Sequence, residues 1–152
     1  MRHIYIGCDN AGVEFKKVII DFLSKKGIQA EDMGCYTTDD TTFYSTIAQR
    51  LCQKVIDSNY EARGILICGT GIGMCISANK CKGIRAAVCH DIFSAERSIL
   101  SNNGNVLCMG ARVIGPELAK KIVGEWIELE FVDCPSTEKV ADIIRVENEN
   151  FK

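Results

Sequence analysis

The stretch GILICGTGIGM, residues 64–74, runs an apolar segment into a cysteine and then places three glycines in the next five positions. A short apolar run followed by a glycine-rich turn is typical of a buried strand that leads through a tight loop into a helix. The pattern predicts a strand over residues 64–68 and a helix over about 74–79. Cys68 is therefore expected where the strand ends and the loop begins.

Strand and helix patterns alternate along the rest of the chain. The predicted strands are residues 3–8, 28–33, 64–68, 84–89 and 106–109. The predicted helices run from 13 to a stop at Gly27 and over 45–57, 74–79, 92–100, 116–129 and 137–146. Lys16, Lys17, Lys25 and Lys26 are expected on the solvated face of the first helix. This alternation predicts an α/β fold with a five-stranded parallel sheet, strand order 2-1-3-4-5 and helices on both faces.

Composition limits the function classes. The 152 residues, 47% of them hydrophobic and 25% charged, predict one domain over 1–152. A formal net charge of -2 without a basic run disfavours nucleic acid as a partner. The lack of an apolar stretch of roughly 20 residues disfavours a membrane span. With no signal-peptide pattern at the start, we expect a cytoplasmic enzyme.

The nine cysteines suggest disulfides or a metal site at first sight. Their odd number disfavours a disulfide framework, and the absence of a C-x-x-C pair disfavours zinc. Most are expected to be small buried hydrophobic residues. Cys68 alone has neighbours in the sequence that suggest chemistry.

The predicted topology brings Cys68 close to Asp9. Ligands of open parallel sheets bind beyond the carboxyl ends of the strands, where the strand order reverses. Here that point lies between the first strand, which Asp9 follows, and the third, which Cys68 ends. The two residues should therefore face one crevice.

The glycine loop predicts a site for a negative charge. Residues 69–73 present backbone N–H groups that could bind a phosphate or a developing oxyanion. A thiol beside a helix start has a lowered pKa and can act as a nucleophile or a general base. A base beside such donors suits aldose–ketose isomerisation, with Thr70 bonding the thiolate or a substrate hydroxyl. Asp9 either accepts from sugar hydroxyls or caps the following helix.

Several motifs resemble the ribose-5-phosphate isomerase B and galactose-6-phosphate isomerase family. They are Gly7-Cys8-Asp9, residues 67–73, Ala78-Asn79-Lys80, residues 83–86, Asn105-Val106, Gly110 and residues 112–115. The resemblance covers nearly the whole chain. It implies a Rossmann-like three-layer sandwich with a C-terminal helix, active as a homodimer or a dimer of dimers with sites between protomers.

The resemblance also implies roles for individual residues. Cys68 would be the catalytic base with Thr70 beside it, and the loop of Gly69, Gly71, Ile72 and Gly73 would stabilise an enediolate. The expected substrate ligands are Asp9, Asn10, Asn102, Arg112 and Lys139. His90, at the end of the fourth strand, is a possible acid or base from the residues themselves. Neither a metal nor a nucleotide cofactor is expected.

The chain departs from the family pattern at functional positions. Asn10 stands where the family has a histidine, and Ser101 replaces the histidine credited with opening the sugar ring. Phe43 falls in another functional motif of the family, and Pro135 falls in a further one. The motif at Pro135 lacks the arginines that the family has there. Because a lysine cannot reproduce the bidentate arginine fork, Lys139 replaces that phosphate clamp only in part.

We expect an aldose–ketose isomerase that acts on a phosphorylated sugar of the ribose 5-phosphate/ribulose 5-phosphate type, through an enediol. The departures leave three hypotheses open. The substrate could be a short sugar phosphate that cannot cyclise. The chain could be the cysteine-bearing subunit of a heteromeric galactose-6-phosphate isomerase that needs a related partner subunit. It could also be a non-catalytic relative that only binds sugar phosphates.

Overall fold

Five parallel strands form a sheet in the computed structural model, which describes residues 1–151. The strands are β1 Ile4–Cys8, β2 Ala30–Asp32, β3 Arg63–Cys68, β4 Ala86–Val88 and β5 Val106–Gly110. The helices are α1 Val13–Lys25, α2 Tyr44–Asp57, α3 Ile72–Ala78, α4 Ile92–Leu100, α5 Pro116–Trp126 and α6 Thr137–Asn150. The predicted α/β architecture is confirmed. Among residues 1–151, no helix combines the length and the apolar character that a membrane crossing requires.

The strand order is β2-β1-β3-β5-β4, so the predicted order 2-1-3-4-5 is wrong at one edge. All five residues of β5 are buried, and Leu107 pairs with Ile65 of β3 on one side and Ala87 of β4 on the other. The three residues of β4 are only half-buried. A short, partly exposed strand suits a sheet edge, whereas a fully buried strand needs neighbours on both sides.

β4 is also shorter than its predicted span of 84–89, because asparagine side chains replace strand pairing at its start. The backbone N–H of Arg85 donates to Oδ1 of Asn105 at 2.8 Å, and that of Ala86 donates to Oδ1 of Asn79 at 2.9 Å. Side-chain amides therefore satisfy backbone donors that a longer ladder would have used.

The sheet has two chemically different ends. We call the end that carries Cys8, Cys68 and Gly110 the carboxyl edge, and the end that carries Ile4 and Arg63 the amino edge. Between them, β3 is buried along its whole length. Because all five strands are parallel, every strand of the sheet runs from the amino edge to the carboxyl edge.

Lys16 contradicts the prediction of a solvated face for the first helix. The residue is only 1% exposed, and its Nζ donates to Oδ1 of Asp32 and to the carbonyl of Cys35, each at 2.5 Å. Its ammonium also lies 5.0 Å from the ring centre of Tyr36. Lysine stems can be buried when the charge is paired, and here the pair ties α1 to the segment after β2. Lys17, Lys25 and Lys26 are exposed as predicted.

The C-terminal helix α6 lies near the amino edge. Oε1 of Glu147 accepts from the backbone N–H of Gly83 at 2.6 Å, and Cys134, just before the helix, contacts the carbonyl of Leu100. A cavity of about 560 Å³ lies between α6 and the residues around β4. Its apolar side chains Ile143 and Ile144 remain 43% and 39% exposed. The helix therefore leaves apolar surface uncovered within one chain.

Candidate active site

Cys68 ends β3 with its side chain turned into the following loop. Its Sγ accepts a hydrogen bond from the backbone N–H of Gly71 at 3.0 Å, and only 4% of the residue is exposed. The neighbouring strands β1 and β5 place Asp9 and Gly110 on either side. Hydrogen bonds strengthen when one partner is ionised, so this amide is suited to hold a charged sulfur.

The loop takes its shape from Gly71. Its φ is +79°, and a Cβ at this position would lie 2.9 Å from the carbonyl carbon of Met109. Only glycine adopts such a conformation without strain and leaves space for the strand behind it. A side chain on Gly110 would likewise meet the carbonyl carbon of Thr70 at 2.6 Å. The loop is therefore pressed against β5, and this contact aims the Gly71 N–H at the thiol.

Thr70 is exposed at the tip of the loop. Its Oγ1 accepts from the backbone N–H of Ile72 at 3.3 Å, which is long for this type of bond. Gly73 lies in the first turn of α3, where backbone N–H groups have no acceptor within their own helix. The loop thus places the exposed Thr70 hydroxyl and the partly exposed backbone of Gly69 and Gly73 near Cys68, whereas Gly71 itself is buried.

Asp9 lies beside Cys68, as the predicted topology requires. Its backbone N–H donates to the carbonyl of Ile67 at 3.2 Å, which holds the residue next to the end of β3. Oδ1 accepts from the N–H of Ala11 at 3.0 Å and so caps the short helical turn Asn10–Gly12. The capping role is thus present, and Asp9 is half-exposed beside the end of β3. Asn10 is exposed beside it.

Arg112 follows β5 and lies against the glycine loop. Its backbone N–H donates to the carbonyl of Gly69 at 3.0 Å. Its Nη1 lies 3.3 Å from the position that a Cβ on Gly69 would occupy, so the guanidinium covers this side of the loop. The side chain is exposed and can reach an anion bound there. The strand order brings this arginine here, because β5 and not β4 is the neighbour of β3.

His90 is one strand farther from Cys68 than the predicted order implies. It follows β4, and its Nε2 accepts from the backbone N–H of Gly110 at 2.9 Å. The imidazole therefore contacts the end of β5, which separates it from the thiol. His90 thus contacts β5, the strand against which the glycine loop packs, and not the loop itself.

Asn102 and Lys139 lie at the other end of the sheet. Asn102 follows α4, which returns the chain to the amino edge, and it lines the cavity beneath α6 together with Ile84 and Ile143. Lys139 is exposed in the first turn of α6, near the contact of Cys134 with Leu100. Within one chain, neither residue lies near Cys68. Both are at the amino edge, whereas Cys68 is at the carboxyl edge.

No metal cluster accompanies these residues in the part of the chain that the structure describes, residues 1–151. Around the Cys68 thiol, the carboxyl edge brings together the Gly71 N–H, the Thr70 hydroxyl, Asp9 and Arg112. This set can bind an anion and move a proton.

Residues 4–143 match the ribose/galactose isomerase family. The chain belongs to this family. D-erythrulose-4-phosphate isomerase of Pectobacterium atrosepticum is 48% identical over 94% of this chain and 93% of its own length. D-erythrulose-4-phosphate isomerase 2 of Mycolicibacterium smegmatis is 47% identical over 95% of this chain and 96% of its own length. Ribose-5-phosphate isomerase B of Escherichia coli is 38% identical over 97% of both chains.

Solved structures of ribose/galactose isomerases have the same fold. Ribose-5-phosphate isomerase B of Mycoplasma genitalium, with bound ribulose-5-phosphate, superposes with a TM-score of 0.92 at 33% identity and covers 97% of both chains. Ribose-5-phosphate isomerase B of Clostridium thermocellum superposes with a TM-score of 0.91 at 37% identity and covers 97% of this chain and 98% of its own length. The protein is thus an aldose–ketose isomerase of this family, and the resemblance in its motifs is confirmed.

One contact residue of this isomerase was not predicted. The ring of Tyr44, at the start of α2, packs on the first turn of α3, since a Cβ on Gly73 would lie 2.8 Å from its Cε2. The ring is half-exposed beside the loop. A tyrosine that opens a helix after a long polar loop is the available signal in the sequence.

Cys75 is a second thiol with unusual chemistry, although the sequence singled out only Cys68. A hydrogen bond with the Cys108 thiol lowers the pKa of Cys75 to about 7, against the effect of its partial burial. Burial raises the pKa of Cys89 to about 11, as expected for an inert cysteine. Six of the nine cysteines are buried, which confirms their predicted role as small core residues. No local pattern predicts Cys75, since Cys108 lies on another strand.

Proposed function

We propose that this isomerase interconverts an aldose phosphate and a ketose phosphate through an enediol, with Cys68 as the base. The observation that carries the proposal is the thiol at the carboxyl edge, 3.0 Å from the Gly71 N–H and beside an array of loop amides. Acid–base catalysis needs a group within hydrogen-bond reach of the proton it removes, and the exposed Thr70 and half-exposed Asp9 mark the side from which a substrate would approach the thiol.

In the proposed reaction, the Cys68 thiolate takes the proton from C2 of the aldose. The C–H electron pair forms the C1–C2 double bond, and the carbonyl oxygen becomes the enediolate oxygen. Donors of the loop, including the Gly73 N–H, then stabilise the negative charge. When the thiol returns the proton to C1, and a hydroxyl proton moves from O2 to O1, the ketose is formed. Thr70, once its weak bond to Ile72 is released, is placed to assist that hydroxyl transfer.

The proposed substrate pair is D-erythrose 4-phosphate and D-erythrulose 4-phosphate. Two relatives named for erythrulose 4-phosphate are 48% and 47% identical to this chain. Ser101 supports the same choice, because a four-carbon aldose phosphorylated at O4 has no hydroxyl left to close a five-membered ring. Such a substrate requires no ring-opening histidine.

Ribose 5-phosphate is the second candidate. The structural neighbour from Mycoplasma genitalium holds ribulose-5-phosphate in the same fold. That pair isomerises by the same proton transfer, but ribose 5-phosphate must first open its ring. The two candidate substrates therefore differ in whether they need the ring-opening histidine that Ser101 replaces.

We also propose that the complete site forms between two copies of this chain. Asn102 and Lys139 lie at the amino edge, far from the Cys68 of their own chain, and a second copy can bring such residues to the thiol. The uncovered Ile143 and Ile144 of α6 support this arrangement, since exposed apolar side chains grouped on one helix are typical of an interface.

The reaction is tested by isotope exchange. The purified protein is incubated in deuterated water with aldose phosphates of four, five and six carbons, and proton NMR follows deuterium next to the carbonyl. We expect fastest exchange with D-erythrose 4-phosphate and none in Cys68→Ala, while the buried-cysteine control Cys52→Ala stays active. Unchanged exchange in Cys68→Ala would contradict the base. No exchange by the chain alone, but activity with an added related subunit, would favour the heteromer. Binding without exchange in either case would favour the non-catalytic alternative.

The shared site is tested by mixing two inactive variants. Cys68→Ala and Asn102→Ala each lack one component, but a hybrid dimer carries one site with both components intact. Random exchange of copies should restore about a quarter of the wild-type rate. Recovery would support sites between copies. No recovery, with hybrid dimers demonstrated by native mass spectrometry, would place Asn102 outside the site.

A further inference from the structure

Three arginines surround a second, polar cavity at the amino edge. The cavity has a volume of about 250 Å³ and lies where β3 begins, between the chain terminus and the loop that precedes β5. Its lining includes Arg2, Arg63, Arg85, Tyr60, Asn103 and Glu130. Arg63 and Cys68 are the first and last of the six residues of β3, about 16 Å apart along an extended strand. Within one chain, this cavity is therefore separate from the candidate active site.

Arg63 is the buried member of the group. The residue is 3% exposed, and its guanidinium donates to the carbonyls of Trp126 at 3.1 Å and Leu129 at 2.7 Å. The same group lies 5.2 Å from the centre of the Trp126 ring. These contacts fix the orientation of the guanidinium and use only two of its five N–H donors. Burial, with the nearby charge of Arg2, lowers the pKa of Arg63 to about 10.

The positive charge in the cavity is only partly balanced. Arg2 and Arg63 share the carboxylate of Glu130, which lies 3.6 Å from Arg63 and is itself exposed. Arg85 is held in place by its Nε bond to the neutral carbonyl of Asn103 at 2.7 Å, and the carboxylate of Glu147, which is not among the lining residues of this cavity, also acts on its charge. Three guanidinium groups thus face one space with one carboxylate among the lining residues. Buried charges are normally paired, so an anion would complete this arrangement.

We propose that this cavity binds the phosphate group of a small anion, either free phosphate or a short phosphate ester. Guanidinium forks match the geometry of phosphate oxygens, and two of the three forks are oriented in advance by backbone carbonyls. The volume accommodates a phosphate with a short carbon chain. Glu130 competes with the anion, because it occupies the two cations that the phosphate would contact. The proposal does not depend on the isomerase reaction or on Cys68.

The sole tryptophan of the chain provides a local test. Trp126 stacks with Arg63, and its indole N–H donates to Oγ of Ser98 at 3.2 Å, so its signal in a proton–nitrogen spectrum reports on the amino edge and not on the distant Cys68 loop. The variants of Arg2 and Glu130 then assign the response to this cavity. Inorganic phosphate and glycerol 3-phosphate are titrated separately at constant ionic strength, with chloride as the balancing salt. We expect a saturable shift of the indole signal. The ratio of the two affinities identifies free phosphate or a phosphate ester as the preferred ligand.

Two variants should change the affinity in opposite directions. Arg2→Gln removes a cation and should weaken phosphate binding about tenfold, whereas Glu130→Gln removes the competing carboxylate and should strengthen it. Arg50→Gln, at an exposed arginine of α2 outside the cavity, is the matched control and should leave the affinity unchanged. A purely structural cluster predicts no saturable response. Absence of saturation, or an equal affinity in Arg2→Gln, Glu130→Gln and the wild type, would overturn the proposal.

Discussion

The two edges of the sheet handle charge in different ways. At the carboxyl edge, the Cys68 thiol accepts from a backbone N–H of the glycine loop, and the buried Lys16 is paired with Asp32. At the amino edge, arginine side chains are held by backbone carbonyls of Trp126, Leu129 and Asn103. Donors from the backbone can stabilise charge that appears during a reaction, whereas fixed guanidinium groups bind charge that is already present. The backbone donors of the first edge therefore suit charge that develops in a reaction, and the fixed cations of the second edge suit an anion that is already charged.

The largest expected effect is that of Cys68→Ala on the reaction. Removal of a general base should lower kcat/KM by about a thousandfold, since such groups contribute about 10²–10⁴. Cys52→Ala removes an equally buried thiol from α2 and should leave kcat/KM within about threefold of wild type. Steady-state kinetics on both variants make the comparison. Equal losses would show that the chemistry of the carboxyl edge does not rest on Cys68.

Lys16→Met should destabilise the fold by about 3 kcal/mol. The change removes the buried partner of Asp32 and leaves the Cys35 carbonyl with only the weaker Cys8 thiol as a donor. Lys25→Met is the control, because Lys25 pairs with Asp21 at 2.8 Å on the exposed face of the same helix and should change stability by less than about 0.5 kcal/mol. Urea unfolding monitored by circular dichroism measures both. If the two variants unfold at the same urea concentration, the buried pair does not anchor this edge.

A comparison of Gly71 at the carboxyl edge with Gly27 at the amino edge distinguishes the cost of backbone strain from the cost of a steric clash. Gly71 and Gly27 have nearly the same φ, +79° and +78°, but only Gly71 would place a Cβ against another strand. Gly71→Ala should destabilise the protein by about 2 kcal/mol and lower activity, because the N–H moves away from Cys68. Gly27→Ala, in open space, should lose about 1 kcal/mol and keep full activity. Thermal unfolding and initial rates test the pair. Equal losses of stability would mean that contact with Met109 contributes nothing.

The smallest effect concerns a partly buried thiol, Cys75, and leaves the fold intact. Iodoacetamide should alkylate Cys75 with a rate that rises through pH 7, because the thiolate is the reactive form and the pKa is about 7. Cys89, with its pKa raised to about 11 by burial, should stay unmodified over this range. Peptide mass spectrometry after short exposures gives both rates. Cys108→Ala should move the Cys75 midpoint to higher pH, and an unchanged midpoint would show that another contact lowers the pKa.

Much of the candidate site could be predicted because it is local. Cys68, Thr70 and the three glycines lie in one turn, and their glycine spacing indicates a loop that approaches a strand closely. The closeness of Asp9 to Cys68 also follows from sequence, since parallel neighbours end at the same edge. His90 was placed too close to the thiol, because the order of the last two strands depends on how deeply each is buried.

Asn102 and Lys139 show the limit of carrying residues over from a family pattern. The resemblance assigns both to the substrate, but it does not say from which copy of the chain they come. Tracing α4 and α6 places them at the amino edge, and this separation supports a site shared between copies. A pattern along one chain contains no information about a second chain.

By itself, the sequence determined the α/β class, the five strands and six helices, and the glycine loop with its cysteine, because periodicity and turn chemistry act over a few residues. Only the tertiary structure decided that β5 lies between β3 and β4, that Lys16 is buried and that Cys108 contacts Cys75. The same holds for the three arginines at the amino edge, which come from the terminus, β3 and the start of β4. Such contacts join residues far apart in the chain, and their energies depend on burial and charge pairing, which appear only when the elements pack.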